Sequence, residues 1–276
     1  MHKSLFKADF QESTSIVVSK RLSLNKEGFD NMRFSRRLGA AFANIFIMIP
    51  LFYFIGIKMP PVIIEKKGSF SLSMAKYGVL LGPAIKLVLI IWFLLTILLL
   101  VVQRKNIGRY ALDSYFVFLQ MCISFLMIMF DLLLGVSVAG IGLVASIFLV
   151  AGGSIYIINT IYNIIFYLKF KMFGIKRKQI PFTWNIIVTV LILVLAIVSS
   201  MIWRPKELNI LLYICSFGLL LILALVAFSS KIMIHYFFVD FYFAKYGEQY
   251  KKKFKITDEQ WYGPRKAKRL AKKKGK

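Results

Sequence analysis

The chain has 276 residues, 59% of them hydrophobic and 18% charged, against roughly 45–50% apolar in a soluble domain. That balance excludes an ordinary water-soluble fold and predicts an all-α, polytopic integral membrane protein. The formal charge of +25 would suit a nucleic-acid partner, but the basic residues lie between and beyond long apolar runs, where they follow the positive-inside rule. Lysine outnumbers arginine, 27 to 10, and with frequent Ile, Phe and Asn this points to an AT-rich bacterial genome and so to a bacterial plasma membrane. Cys122 and Cys215 both sit in apolar runs and form no disulfide framework.

Residues 1–37 are polar, with eight Lys/Arg set against Asp9, Glu12, Glu27 and Asp30. They read as a cytoplasmic arm, too long for the basic region of a secretory signal. A hydrocarbon layer of about 30 Å needs about 20 apolar residues in a helix, and six runs meet that length: 38–57, 78–103, 112–134, 138–168, 182–203 and 209–230. Pro60-Pro61 and Gly68 punctuate the first outer loop, and Gly135, Gly140 and Gly142 mark a tight turn between the third and fourth runs. With six spans and both termini cytoplasmic, 30 Lys/Arg fall on the inner side and six on the outer, with Lys86 inside a span.

Two runs exceed the bilayer. Residues 138–168 make a helix of about 46 Å and residues 209–246 one of about 57 Å. Each must tilt, break or project: the first has a candidate break at Gly152-Gly153, and the second either turns at Ser229-Ser230 or continues into the cytoplasm. The stretch 231–246 is an aromatic juxtamembrane collar, and 231–276 as a whole forms a polybasic cytoplasmic tail.

Gly135-Val136-Ser137 ahead of the fourth run and His235 in the sixth resemble the serine and histidine of rhomboid intramembrane proteases. His235 lies about 39 Å down its helix from the outer end where Ser137 falls, which excludes shared proton transfer. Arg36-Arg37-Leu38-Gly39-Ala40-Ala41-Phe42-Ala43-Asn44 resembles the opening of RDD-family membrane proteins, in which a basic pair leads into a span carrying an aspartate; here that position is Asn44. No His/Glu cluster has metal spacing and no glycine loop suits a nucleotide phosphate, so no metal, cofactor or catalytic group is expected.

Four groups of residues are candidates for function. Lys86 and Asp131 are charged groups within runs, where each costs about 2.5–3.5 kcal/mol at the bilayer centre unless paired, and adjacent antiparallel helices would let them pair. Gly140, Gly142, Gly152 and Gly153 suit close helix packing, a break, or a seam between copies of the chain. Asn159 and Asn163, one turn apart, put two amides on one face. Thr257-x-x-Gln260 is a capping box opening a short helix that carries Trp261 and Tyr262, a docking element for a protein partner. Beyond it Arg265, Lys266, Lys268 and Arg269 begin a stretch without acidic residues, suited to an anionic inner leaflet, an acidic partner or ribosomal RNA.

The function expected from this pattern is a non-enzymatic, membrane-embedded subunit of a transport or secretion system that docks a partner through its tail. Two other classes fit the same features. One is an immunity protein that sequesters a bacteriocin or pore-forming toxin. The other is a ribosome-tethered membrane-assembly factor similar to YidC-like insertases, though no span carries the intramembrane arginine those use.

Overall fold

The computed structural model describes residues 4–17, 34–62, 69–102, 107–175, 182–202 and 210–274, and it is helical throughout, without strands among the described residues. A 3-10 turn at Leu5–Lys7 precedes α1 (Phe10–Ser13), then α2 (Phe34–Val62), α3 (Ser69–Tyr77), α4 (Gly82–Val101), α5 (Ile107–Ile141), α6 (Leu143–Phe173) and α7 (Phe182–Ile202). After these come α8 (Ile210–Ser216), α9 (Gly218–Lys245), α10 (Gly247–Lys253), α11 (Asp258–Tyr262) and α12 (Pro264–Lys274). Five helical stretches are long and apolar enough to cross a membrane: α2, α4, α5, α6 and the pair α8–α9. The described apolar part of α7, Ile187–Ile202, is shorter than these.

The helices pack as a row in which α2 meets α4, α4 meets α5, α5 meets α9, α9 meets α6 and α6 meets α7. Thus α9 wedges between two helices that are consecutive in sequence. Side chains turned away from these contacts are overwhelmingly large and apolar, such as Leu87, Ile90 and Leu94 on α4 and Val190, Leu191 and Val194 on α7. That surface suits lipid, where no hydrophobic penalty attaches to its exposure.

Several boundaries differ from the sequence expectation, each for a local reason. The first helix does not stop before Pro60 but runs to Val62, absorbing its prolines through π-helical segments at Ala43–Met48 and Phe54–Lys58. A ring without an N–H removes a helical bond, and widening the turn relieves the clash that comes with it. The third helix passes through Gly135 and Gly140 and breaks only at Gly142, whose φ of 85° lies where side chains with a Cβ are disfavoured. Ser137 therefore ends α5 rather than heading α6, and its hydroxyl meets that of Ser146 across the turn at 2.8 Å.

Gly152-Gly153 does not break α6, which is continuous from Leu143 to Phe173. The two glycines are packing notches instead. A Cβ on Gly152 would fall within 3.0 Å of Ile192 on α7, and one on Gly153 within 3.0 Å of Leu223 on α9. The seam they offer is filled from within the chain. Gly140 likewise admits α8, where Ser216 donates to Val136 O at 3.2 Å. The last long helix has no turn at Ser229-Ser230; it is interrupted at Phe217 and then runs unbroken to Lys245.

Arg37, only 8% exposed, donates through Nη1 to Leu99 O at 3.0 Å and Leu100 O at 3.2 Å. It satisfies carbonyls that the end of α4 leaves open and places a cation at the negative end of that helix. Arg37, the second residue of the basic pair before the first apolar run, thus fastens α2 to α4.

Gly153→Val is expected to force α6 and α9 apart, costing about 1–3 kcal/mol. A lowered Tm in detergent, with Gly39→Val as a control because nothing lies within 4 Å of that position, checks this.

Candidate functional site

At one end of the row the two ends of the chain fold together into a compact head. Leu5, Ala8, Ile16 and Val17 from the N-terminal segment are buried with Ile107 of α5, Ile164, Leu168 and Met172 of α6, Phe238, Val239, Tyr242 and Phe243 of α9, Tyr250 and Trp261. The arm expected to be a free cytoplasmic extension is therefore, over residues 4–17, part of the core of this head. Asp9-x-x-Glu12 fixes its conformation: the Asp9 carboxylate accepts from Glu12 N at 2.8 Å and the Glu12 carboxylate accepts from Asp9 N at 2.8 Å.

Hydroxyl groups set the register between the ends. Tyr242 OH accepts from Ala8 N at 3.1 Å and donates to Leu5 O. Tyr246 OH donates to Ala8 O at 2.8 Å, Lys245 Nζ donates to Phe6 O at 3.1 Å, and the Ser13 and Tyr250 hydroxyls lie 2.7 Å apart. Phe10 packs edge-on to Tyr250 with ring centroids 4.9 Å apart. The aromatic collar at 231–246 is thus only partly an interface belt, since its last turns form the base on which the N-terminal segment lies.

Trp261 closes the head. The expected capping box is present, with Thr257 Oγ1 accepting from Gln260 N at 3.2 Å and Gln260 Oε1 accepting from Thr257 N at 3.1 Å. The indole, however, is fully buried and unavailable to a partner. It lies edge-on to Phe243 at 5.3 Å, in a socket that depends on Gly247, where a Cβ would fall 2.9 Å from the indole. Its Nε1 donates to Glu248 at 3.2 Å, and the same carboxylate accepts from Tyr262 OH. Tyr262 is partly exposed, with Lys251 at 4.5 Å and Lys266 at 4.6 Å from its ring centroid. Lys251 also pairs with Asp258. An apolar docking turn is thereby corrected to a structural plug. The burial signal was in the sequence as a lone indole in a polar tail, with its glycine socket at Gly247 and its acceptor at Glu248 a few turns upstream.

Beyond Gly263, α12 turns Lys268, Arg269, Lys272 and Lys273 to solvent while Ala267 is buried. The side chain of Arg265 lies outside the described residues, as do Arg104, Lys105, Lys176 to Lys178, Arg204 and Lys206, which carry part of the charge asymmetry.

The intramembrane candidates separate. Asp131 is fully buried, but its Oδ2 accepts from Leu81 N at 2.8 Å at the start of α4 rather than pairing with Lys86, which is exposed. A carboxylate at a helix start satisfies an open amide and faces the positive end of that helix, so Asp131 fastens α5 to α4 and the two charges do not form one site. Asn159 and Asn163 are half-buried on α6, and Asn163 Oδ1 meets no hydrogen-bond donor among the described residues. His235 is stacked edge-on to Tyr236, and Ser137 binds Ser146 instead. No group of three His, Cys, Asp or Glu close enough to hold a metal occurs among the described residues.

No known protein family, curated protein or solved structure matches this chain.

Burial pushes the Tyr250 hydroxyl up to about 12 and that of Tyr262 likewise to about 12, Glu248 adding to the second. A raised folded value favours the neutral phenol in the folded state, so this contribution is whole below about pH 10 and is lost as the pH rises toward about 12. Tyr250→Phe, which cannot ionise, is expected to move alkaline opening of the head to higher pH while costing about 0.5–1.5 kcal/mol at neutral pH through the lost Ser13 bond. Tyrosinate absorbance followed beside tryptophan fluorescence checks both signs.

Proposed function

We propose that the chain is a six-span protein of the bacterial plasma membrane with both termini in the cytoplasm. In this reading α7 is the remaining span, and the head lies on the cytoplasmic side, where the excess of Lys and Arg belongs. The protein acts as a non-catalytic subunit of a transport or secretion system, docking an acidic partner at its cytoplasmic end.

The observation that carries this reading is the head itself. Burying Trp261 and tying residues 4–17 to α9 and α10 gives α12 a fixed base, and α12 presents Lys268, Arg269, Lys272 and Lys273 outward without an acidic residue after Glu259. A structured mount for a strip of cations suits recognition better than a free tail would, because less ordering entropy is lost on binding. The contact is electrostatic, made by the exposed helix, and Trp261 supports it from behind. Steering by such a strip raises association rates and weakens with salt.

The test is affinity purification from native membranes at two ionic strengths. The wild-type protein is expected to bring down a defined cytoplasmic or membrane partner that is released by salt. A variant with Lys268→Glu, Arg269→Glu, Lys272→Glu and Lys273→Glu is expected to lose it while keeping the tryptophan fluorescence of a closed head. Wild-type protein that yields no stoichiometric partner, or a variant that keeps it, contradicts the proposal.

A further inference from the structure

Between the start of α5 and the end of α9 lies an open cleft of about 320 Å³, lined by Arg109, Leu112, Asp113, Phe241, Ala244 and Lys245. This volume is at the lower end of the range for small-molecule sites, about 300–1,000 Å³. Its position is specific. Ile107–Ile141 and Ile210–Lys245 are both long enough to cross a membrane, and the cleft sits where both reach the head, the level that the proposed membrane arrangement gives to lipid headgroups.

The lining divides by chemistry. Arg109 and Lys245 supply two cations, the first within the opening turn of α5, where the helix dipole adds in the same sense. Lys245 gives one proton to Phe6 O, which leaves two for another acceptor. Leu112, Phe241 and Ala244 supply apolar wall. Asp113 supplies one carboxylate, so the lining carries one net positive charge.

From this arrangement we infer that the cleft binds the monoanionic phosphodiester headgroup of a phospholipid from the leaflet at the head end. Guanidinium and ammonium hold the phosphodiester oxygens. The apolar wall takes the glycerol backbone and the first acyl carbons. Asp113 accepts from hydroxyl donors of the headgroup and repels a second negative charge, which selects a phosphodiester over a phosphomonoester. Basic pockets between spanning helices recognise anionic headgroups in this way. A bound lipid at this place would join α5, α9 and, through Lys245, the N-terminal segment, coupling the closed head to the membrane. The inference uses the membrane reading alone and is independent of any protein partner.

Native mass spectrometry of the full chain in mild detergent, titrated with phosphatidylglycerol, phosphatidic acid and soluble glycerophosphoglycerol, tests it. Wild-type protein is expected to hold one phosphatidylglycerol more tightly than phosphatidic acid, and to bind the soluble headgroup only weakly. Arg109→Gln is expected to weaken phosphatidylglycerol binding about tenfold or more, and Asp113→Asn to raise affinity for phosphatidic acid. Equal phosphatidylglycerol binding by wild type and Arg109→Gln overturns the proposal, as does soluble headgroup binding as tight as the lipid. Should Arg109→Gln lower the Tm, the Asp113→Asn change in preference decides: an unaltered preference overturns the site.

Discussion

An indole buried beneath a polybasic tail needs three things at once, namely a hole, a hydrogen-bond acceptor and a lid, and the head of this protein supplies all three. Gly247 at the start of α10 makes the hole, Glu248 accepts from Nε1, and the capped turn from Thr257 to Gly263 is the lid. Aromatic burial of this size dominates the energetics of a small core. Once Trp261 is seated, α10 and α11 lie fixed against the end of α9, Tyr250 is held where Ser13 can reach it, and the N-terminal segment has a surface on which to lie. The basic helix α12 inherits its position from the same contact.

The consequence for the whole chain is that its ends are not appendages. In the bundle, helices that expose Leu, Ile and Val to lipid gain nothing from hydrophobic burial against one another, so close packing at notches such as Gly152 and Gly153, and polar fasteners such as Arg37 and Asp131, fix their arrangement. In the head, the buried apolar and aromatic side chains form one continuous cluster. The bundle and the head are also joined by Tyr115 OH, which donates to Met233 O at 2.6 Å. The cleft between α5 and α9 has a mixed lining of charged and apolar side chains.

Much of the bundle was legible in the sequence because bilayer thickness imposes a length, and a run such as Gly82–Val101 meets it without reference to anything else. Its termini were less so. Gly135 and Gly140 look like turn residues, yet a glycine that admits a neighbouring helix and one that ends its own are the same letter; only φ at Gly142 separates them. The pairing of Lys86 with Asp131 failed for a related reason, since depth along two helices says nothing about which way each side chain faces. The N-terminal segment offered a capping box at Asp9 and Glu12 equal to the one recognised at Thr257 and Gln260, but its partner, Tyr250, is more than two hundred residues away. Trp261 was singled out correctly as exceptional and given the opposite role, because an aromatic residue among lysines reads alike whether it waits for a partner or has already found one.

Hydrogen exchange at the amides of residues 10–17 tests most directly the claim that both chain ends form one head. In the wild-type protein these amides are expected to exchange slowly, and in Trp261→Ala, which empties the socket beside Gly247, they are expected to exchange at rates near those of an unstructured peptide while the amides of α6 remain protected. Fast exchange of residues 10–17 in the wild-type protein, or slow exchange unaffected by Trp261→Ala, would contradict the account.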